Sequence, residues 1–135
     1  YVAPRESAAS NPALAAKYPL NILLPKSHGF LNSSYANMAH KIKNQGEQFV
    51  LVSALDAKSR GIVDGDKIRV FNDRGAFEAC ASISDDVNSG VVVGTVGYWR
   101  QLTNGTVNAV ASAEYVVMGH ASTFFDNLVE IELIN

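Results

Sequence analysis

The stretch that decides the fold is GIVDGDKIRVFNDRGAFEACASI, residues 61–83. Polar and apolar residues alternate from Lys67 to Phe71 and again from Ala76 to Ile83. Such alternation is typical of strands with one buried face, because successive side chains of a strand point to opposite sides. Residues 72–75 between the two strands are Asn-Asp-Arg-Gly, a turn composition. The stretch therefore predicts a β-hairpin.

The triplet Asp64-Gly65-Asp66, directly before the hairpin, could belong to a calcium loop or to a simple turn. An EF-hand loop that began at Asp64 would need Glu at position 75, where this chain has Gly75. A structural turn is therefore predicted. Gly65 is expected to supply a positive φ angle or to allow a close approach of the backbone.

Further short elements are predicted on both sides of the hairpin. Apolar runs that indicate strands lie at Leu20–Leu24, Phe49–Val52, 89–97 and Leu128–Ile134. Helical spacing of apolar residues indicates a helix at Tyr35–Lys43, and Ser53 can cap a second short helix that Gly61 ends. About six or seven short strands with two short helices favour a small β-barrel over a sandwich or a parallel sheet.

The first 17 residues differ in composition from the rest of the chain. Residues 1–17 are rich in Ala, Ser and Pro and show no sustained period, so they are predicted to be a linker or an extension that lies over the domain. The barrel domain is predicted to occupy residues 18–135. Because the chain starts without Met, it is expected to come from a longer protein.

Composition excludes several classes of function. A formal net charge of -2, from 11 basic and 13 acidic residues, gives no basic surface for nucleic acid. No apolar run approaches the ~20 residues that a membrane span needs. Cys80 is the only cysteine, which rules out an internal disulfide, a zinc site of several thiolates and an iron–sulfur cluster held by this chain alone. Cys80 itself is predicted to be a buried structural thiol.

The polar segment PKSHGFLNSSYANM, residues 25–38, is the candidate binding loop. It follows the first predicted strand and is either a polar surface loop or a loop that holds a ligand. His28 could equally contact a ligand or stabilise a turn, whereas His40 is predicted to be solvated. The glycines Gly90, Gly94 and Gly97 lack the Lys-Ser/Thr of a phosphate loop, and close backbone packing is the favoured interpretation.

Four blocks of sequence together resemble a known family. GIVDGDKIRVFNDRG, with FLNSSYANM upstream and VNAVAS and STFFDNLVEIE downstream, is similar to the C-terminal dinucleotide-binding domain of the molybdopterin oxidoreductases, from about Tyr18 to Glu132. That superfamily includes formate dehydrogenases, nitrate reductases and sulfoxide reductases. The resemblance implies a mainly β fold, a six-stranded double-psi β-barrel with short helices. It also implies contact with a molybdenum or tungsten bis(molybdopterin guanine dinucleotide) cofactor.

The resemblance also implies the residues that contact the cofactor. In the first loop Lys26 replaces the family's usual arginine, and it offers a point charge instead of a bidentate contact. Asn108 matches the pterin-contacting asparagine of the family, and Phe125 matches a second contact position, where it would stack or pack. Trp99 and Arg100 match the region that lines the cofactor or the substrate funnel. The full set of candidate cofactor contacts is Lys26, Ser27, His28, Asn32, Ser33, Trp99, Asn108 and Phe125.

The function predicted from the sequence is that of a cofactor-capping domain in a larger oxidoreductase. No catalytic or metal-ligating residue is predicted in this chain, and the isolated domain is expected to be monomeric and to hold no cofactor tightly. The other catalytic domains of the parent enzyme are the expected partners. Two alternatives remain open: a free-standing small barrel subunit that docks onto a separate catalytic chain, and a double-psi or swapped-hairpin barrel that serves as a DNA-binding or adaptor module.

Overall fold

The computed structural model describes residues 2–116, 119–123 and 125–134. Within these ranges the chain forms six strands, three short α-helices and one 3₁₀ turn. The strands are β1 (Leu20–Leu23), β2 (Phe49–Val52), β3 (Lys67–Asn72), β4 (Gly75–Ile83), β5 (Val91–Gly94) and β6 (Leu128–Leu133). The helices are α1 (Pro12–Lys17), α2 (Ala39–Gln45) and α3 (Ala54–Ser59), and the 3₁₀ turn is Val107–Ala109. None of the helices so described has the length and apolar character that crossing a membrane requires.

The six strands close into a barrel in the order β1-β5-β2-β4-β3-β6. The pairs β1–β5 and β2–β4 are parallel and the other four pairs are antiparallel. Exchanging β1 with β4, β2 with β5 and β3 with β6 reproduces the same list of pairs with the same directions. The two halves of the chain are therefore related by a pseudo-twofold pairing pattern. The predicted six-stranded double-psi β-barrel is confirmed.

The β3–β4 hairpin is the longest ladder of the barrel. Its register runs without a break from the pair Lys67–Cys80 to the pair Asn72–Gly75, so Asp73 and Arg74 alone form the turn. Along both strands every second side chain faces the core, as the sequence predicts. The buried apolar residues that the hairpin contributes are Ile68, Val70, Phe77, Ala79 and Ala81.

The helices agree only in part with the sequence predictions. Ser53 caps α3 by accepting a hydrogen bond from the Asp56 amide, and Gly61 follows with φ 67°, both as predicted. The predicted start of the preceding helix at Tyr35 is wrong, because Tyr35 has φ 70° and α2 begins at Ala39. A left-handed residue cannot lie inside a right-handed helix, so the apolar spacing of residues 35–38 belongs to turns instead.

The N-terminal extension contains a helix that the sequence analysis missed. The Asn11 side chain accepts a hydrogen bond from the Leu14 amide, and Pro12 occupies the first turn of α1. These are standard signals of a helix start, which the lack of apolar periodicity concealed. The end of α1 is fixed to the hairpin turn, where Lys17 and Tyr18 both bond the Asp73 carboxylate. Whether the extension is a linker to further domains stays a prediction.

Two glycines in and after β5 allow close packing, and one before it does not. A Cβ on Gly94 would lie 3.0 Å from Val107 Cγ1, and a Cβ on Gly97 would lie 2.6 Å from the Asn32 carbonyl oxygen. Close backbone packing is therefore confirmed for Gly97, whereas Gly94 is approached by side chains and not by another backbone. The prediction is wrong for Gly90, which has open space around it and is required instead by its φ of 87°.

Asp56, a buried carboxylate, ties α3 to the turn before β5. It accepts hydrogen bonds from the Ser53 hydroxyl, the Ser89 hydroxyl and the Gly90 amide, and Arg60 lies 3.8 Å away. Burial by itself would raise the pKa of Asp56, but the three hydrogen bonds and the charge of Arg60 outweigh it and lower the pKa below 3.8. The ionised form is therefore the one that stabilises the fold.

We predict that Asp56 contributes stability above about pH 4 that is lost in acid. Because its folded pKa lies below the unfolded value of 3.8, the contribution falls as the pH drops through the folded pKa. Asp56→Asn should therefore lower the free energy of unfolding by on the order of 2 kcal/mol at pH 7. The difference in this free energy between variant and wild type, which we call the gap, should narrow below pH 4. Denaturant melts of both proteins from pH 7 to pH 3 measure this. A gap that stays constant across that range would contradict the assignment.

The Asp64-Gly65-Asp66 turn is structural, as predicted. The Asp64 carboxylate accepts a hydrogen bond from the Ile83 amide, and the Asp66 carboxylate accepts one from the Val63 amide, each at 2.8 Å. Gly65 has φ 86° and nothing within 4 Å of the place where a Cβ would be. The glycine is therefore required by backbone conformation and not by a lack of space.

We predict that Gly65→Val destabilises the fold by about 1–3 kcal/mol, because a β-branched residue is strained at positive φ. Gly65→Asn is the matched control, since Asn tolerates left-handed backbone conformations, and it should cost clearly less. Thermal midpoints of the three proteins measure the difference. Equal midpoints for Val and Asn would show that the φ angle at this turn carries no energetic weight.

Candidate functional site

The loop after β1 is fixed to the segment that follows β5. The Val96 amide donates a hydrogen bond to the Pro25 carbonyl oxygen at 3.0 Å, and Lys26 pairs with Val96 in an isolated β-bridge. Further along the loop, Leu31 and Ser34 form a second bridge that closes a tight turn, in which Asn32 has φ 52°. Asn and Asp tolerate this conformation better than other side chains do, which explains why the sequence places Asn there.

The tip of this loop rests on Gly97 and Trp99. A Cβ on Gly97 would lie only 2.6 Å from the Asn32 carbonyl oxygen, so the two backbones are in direct contact. The Trp99 Nε1–H donates a hydrogen bond to the Ser33 carbonyl oxygen at 2.5 Å. Three of the predicted site residues, Asn32, Ser33 and Trp99, are thus brought together.

Most polar side chains of the loop are free to meet a ligand. Lys26, His28, Asn32 and Ser33 are exposed. Ser27 differs, because it is 7% exposed and its hydroxyl has no hydrogen-bond partner within the described part of the chain. A buried hydroxyl without a partner is costly, so Ser27 marks a position where a water molecule or a ligand atom is expected.

Trp99 lies in a recess beside this loop, with a volume of about 590 Å³. Its aromatic wall consists of Phe30, Tyr98 and Trp99, and the Phe30 and Tyr98 rings meet edge to face at 5.3 Å. Burial raises the pKa of Tyr98, so its hydroxyl stays protonated and donates to the Glu47 carbonyl oxygen at 3.1 Å. We call this cavity the Trp99 recess.

The edge of the Trp99 recess carries an ion pair beside Cys80. Lys67 and Glu47 contact each other, and the Cys80 sulfur lies 3.2 Å from Lys67 Nζ and 3.0 Å from Glu47 Oε2. Burial, together with Glu47, raises the pKa of the Cys80 thiol, while Lys67 opposes the shift. The predicted full burial of Cys80 is wrong, because it is half-buried on the outer face of β4. Its protonated state agrees with a structural role.

Asn108 lies in a second recess of about 690 Å³, which we call the Asn108 recess. Asn108 is exposed, whereas Val107 and Val110 on either side of it are buried. The 3₁₀ turn thus anchors its valines in the core and presents the amide to solvent, so Asn108 is not a core residue. Arg69 and Arg100 also line this recess. Arg69 is paired with Glu132, whereas Arg100 has no ion-pair partner in the described ranges.

The two recesses adjoin, since Glu78 and Asn104 line both of them. The Asn104 amide donates to the Glu78 carboxylate at 2.8 Å and forms the ridge between them. Phe125 is 52% exposed and lines neither recess. The eight predicted residues therefore form three groups: the loop with Trp99, the Asn108 recess, and Phe125. The Glu78–Asn104 ridge is not predicted from the sequence, because no local pattern reveals it. Over the described residues, no group of three or more metal-ligating side chains occurs.

Residues 20–125 match the family model described as "Molydopterin dinucleotide binding domain". Probable oxidoreductase YoaE of Bacillus subtilis is 34% identical over 120 residues, which cover 87% of this chain and 18% of that protein. The catalytic chain of a putative dimethyl sulfoxide reductase from Halobacterium salinarum is 32% identical over 120 residues, which cover 88% of this chain and 14% of that protein.

Among solved structures, acetylene hydratase from Pelobacter acetylenicus superposes with a TM-score of 0.86 at 17% identity, over 98% of this chain and 20% of that one. At this identity the superposition establishes the fold alone. The chain spans less than a fifth of the length of the two curated relatives. The family model covers most of the barrel, from β1 to Phe125, and includes every candidate site residue. This chain therefore belongs to the family of molybdopterin dinucleotide-binding domains.

Proposed function

We propose that this domain holds the molybdopterin guanine dinucleotide cofactor of a larger molybdenum- or tungsten-dependent oxidoreductase. The observation that carries the proposal is the match of residues 20–125 to the dinucleotide-binding family. The relatives named above are an oxidoreductase and the catalytic chain of a dimethyl sulfoxide reductase, and this chain spans only 18% and 14% of their lengths. These proportions favour a domain of a large enzyme over a free-standing small subunit or an adaptor barrel.

The residues at the site have the chemistry that such a cofactor needs. The Asn108 recess, at about 690 Å³, is within the range of ~300–1,000 Å³ that is usual for small-molecule sites. Asn108 and Asn32 supply neutral donors and acceptors for pterin or ribose groups, and Arg100 supplies an unpaired charge for phosphate. The partnerless Ser27 hydroxyl supports a ligand near the loop.

The division of roles follows from these groups. Lys26, Ser27, His28, Asn32 and Ser33 would bind one part of the cofactor through the loop. Trp99, Asn108 and Phe125 would bind a second part by stacking, hydrogen bonding and packing, respectively. When bound, the metal and pterin would supply the redox chemistry, while the residues of this domain bind and orient the cofactor and exclude water. The remaining domains of the parent enzyme would cover the other side of the cofactor.

We expect Asn108→Ala to leave stability within about 0.5 kcal/mol of the wild type, because the side chain is exposed. In the full-length enzyme the same change should reduce the cofactor content. Denaturant melts, together with metal and pterin analysis, measure both effects. Asn88→Ala is the matched control, since Asn88 is also exposed but lines neither recess. A full-length Asn108→Ala enzyme with undiminished cofactor would refute the assigned role.

We expect Gly97→Ala to displace the tip of the loop, because the added Cβ would lie 2.6 Å from the Asn32 carbonyl oxygen. Gly90→Ala is the matched control: it also has a positive φ, 87°, but nothing lies within 4 Å of its Cβ position. Trp99 is the only tryptophan of these 135 residues and bonds the loop, so the fluorescence of the 135-residue chain reports the displacement. Gly97→Ala should shift the emission and lower the cofactor content of the enzyme, and Gly90→Ala should do neither. Identical spectra for both variants would mean that this contact does not hold the loop.

A further inference from the structure

Arg74, in the turn between β3 and β4, joins segments that are distant in sequence. Its Nε and Nη2 donate to the Val110 carbonyl oxygen at 3.0 and 2.6 Å. Its Nη1 and Nη2 also donate to the two carboxylate oxygens of Glu6, at 2.5 and 3.1 Å. The third partner is Asn127, whose side-chain oxygen lies 3.3 Å from Nη2. The guanidinium thus bonds the N-terminal extension and two loops at once.

The partners of Arg74 fix the same two loops in turn. Asn127 is fully buried; its side-chain oxygen accepts from the Ser112 amide at 2.6 Å and its amide donates to the Thr123 carbonyl oxygen at 3.1 Å. Glu6 accepts from the Leu128 amide at 3.1 Å. Asn72 donates to the Val110 and Leu128 carbonyl oxygens at 2.9 and 3.0 Å. We call Glu6, Asn72, Arg74 and Asn127 the Arg74 cluster.

The cluster bonds the backbone where the barrel's own ladders do not. Residues 110–112, 123 and 125–127 lie outside helices and strands, and side chains supply partners for part of their backbone, namely Val110 O, Ser112 N and Thr123 O. Charge-assisted hydrogen bonds are the stronger kind, and here they are shielded, since the Arg74 and Glu6 side chains are only 32% and 14% exposed. The cluster therefore orders these two segments.

One of these segments contains Phe125 and the other begins just after Asn108, and both residues are proposed cofactor contacts. Val110 is two residues after Asn108, and Asn127 is two residues after Phe125. We propose that Arg74 is a positioning residue that sets Asn108 and Phe125 for the cofactor, and that Glu6 makes the N-terminal extension part of this arrangement. This inference rests on the proposed function, because the positions of Asn108 and Phe125 matter only if they contact the cofactor.

Glu6 links the N-terminal extension to the rest of the Arg74 cluster and to β6. It lies in the extension, before α1, yet it bonds both Arg74 and the first amide of β6. A change in the path of the extension would withdraw the carboxylate and leave Arg74 with a partly buried, unpaired charge, which is costly. The extension is thus coupled to the loops of the site by direct contacts.

The test uses the full-length enzyme with Arg74→Gln and, as a milder variant, Glu6→Gln. Hydrogen–deuterium exchange is measured on cofactor-free protein, and pterin and metal content on protein made with the cofactor. Arg60→Gln is the matched control, because Arg60 is also a partly buried arginine, paired with Glu130, but it bonds neither loop. We expect exchange in peptides that cover residues 107–112 and 123–128 to become at least about fivefold faster in the Arg74 variant, and cofactor content to fall.

The control separates positioning from general stability. Arg60→Gln should lower the thermal midpoint without faster exchange in these two segments and without loss of cofactor at the growth temperature. If Arg74→Gln changes the midpoint alone, as the control does, Arg74 is only structural and the inference is overturned. If Arg74→Gln does not fold, Glu6→Gln decides by the same two measurements.

Failure of this inference can be told apart from failure of the proposed function through Asn108→Ala. The Arg74 variant could show faster exchange but keep its cofactor content. If Asn108→Ala does lower the cofactor content, that result overturns the role of Arg74 as a positioning residue. If Asn108→Ala also leaves the content unchanged, the proposed contact itself is wrong, and the inference falls with it. Faster exchange with reduced cofactor content in both cluster variants, and not in the control, supports the inference.

Discussion

The structure depends on the register between β3 and β4. Six consecutive residue pairs, from Lys67–Cys80 to Asn72–Gly75, place the apolar side chains of both strands in the core, and a slip by one residue would turn all of them outward. Both flanks of the hairpin are paired, β3 with β6 and β4 with β2, so its register is transmitted around the closed barrel. The same register leaves Asp73 and Arg74 as the turn, where they bond the extension and the loops. One constraint thus sets both the core and the support of the site.

The topology explains why the candidate site lies where it does. In the closed barrel β5 lies between β1 and β2, and β1 lies between β5 and β6. Neither of these consecutive pairs can be joined by a tight hairpin turn, so each needs a longer connection. The two longest are 24–48, between β1 and β2, and 95–127, between β5 and β6. All eight predicted site residues lie in these two connections. They meet where Val96 and Gly97 contact the first loop, so the crossing of the two connections is also the place where polar groups gather.

Local patterns predicted the elements that local physics decides. The alternation of residues 67–83 gave the hairpin, and Ser53 gave the cap of α3. Alternation would also have shown Cys80 to face outward, because Ala79 and Ala81 face the core. The start of α2 was missed because the left-handed conformation of Tyr35 follows from the fold of the loop and not from its apolar spacing. At the site, exposure of Asn108 follows from two buried valines. The Glu78–Asn104 bond and the bonds of the Arg74 side chain join residues 26 or more positions apart, and no single-sequence pattern carries such contacts.

The distribution of charge suits a site that is ordered before its ligand arrives. Two charges that support the fold and the site are compensated within the chain: Asp56 by three hydrogen bonds and Arg60, and Arg74 by Glu6. Among the charged side chains that line the recesses, Lys67 is paired with Glu47 and Arg69 with Glu132. Lys26 on the loop, and Lys43 and Arg100 at the recesses, are exposed cations. Neutral amides and hydroxyls lose little hydration free energy when a ligand displaces water from them. The charge network is formed before binding and keeps in place the backbone that carries these amides and hydroxyls. The compensated charges bond the loop backbone, and the uncharged side chains face outward. Binding of a ligand would therefore require little rearrangement of the barrel, because the loops lose their conformational entropy already during folding.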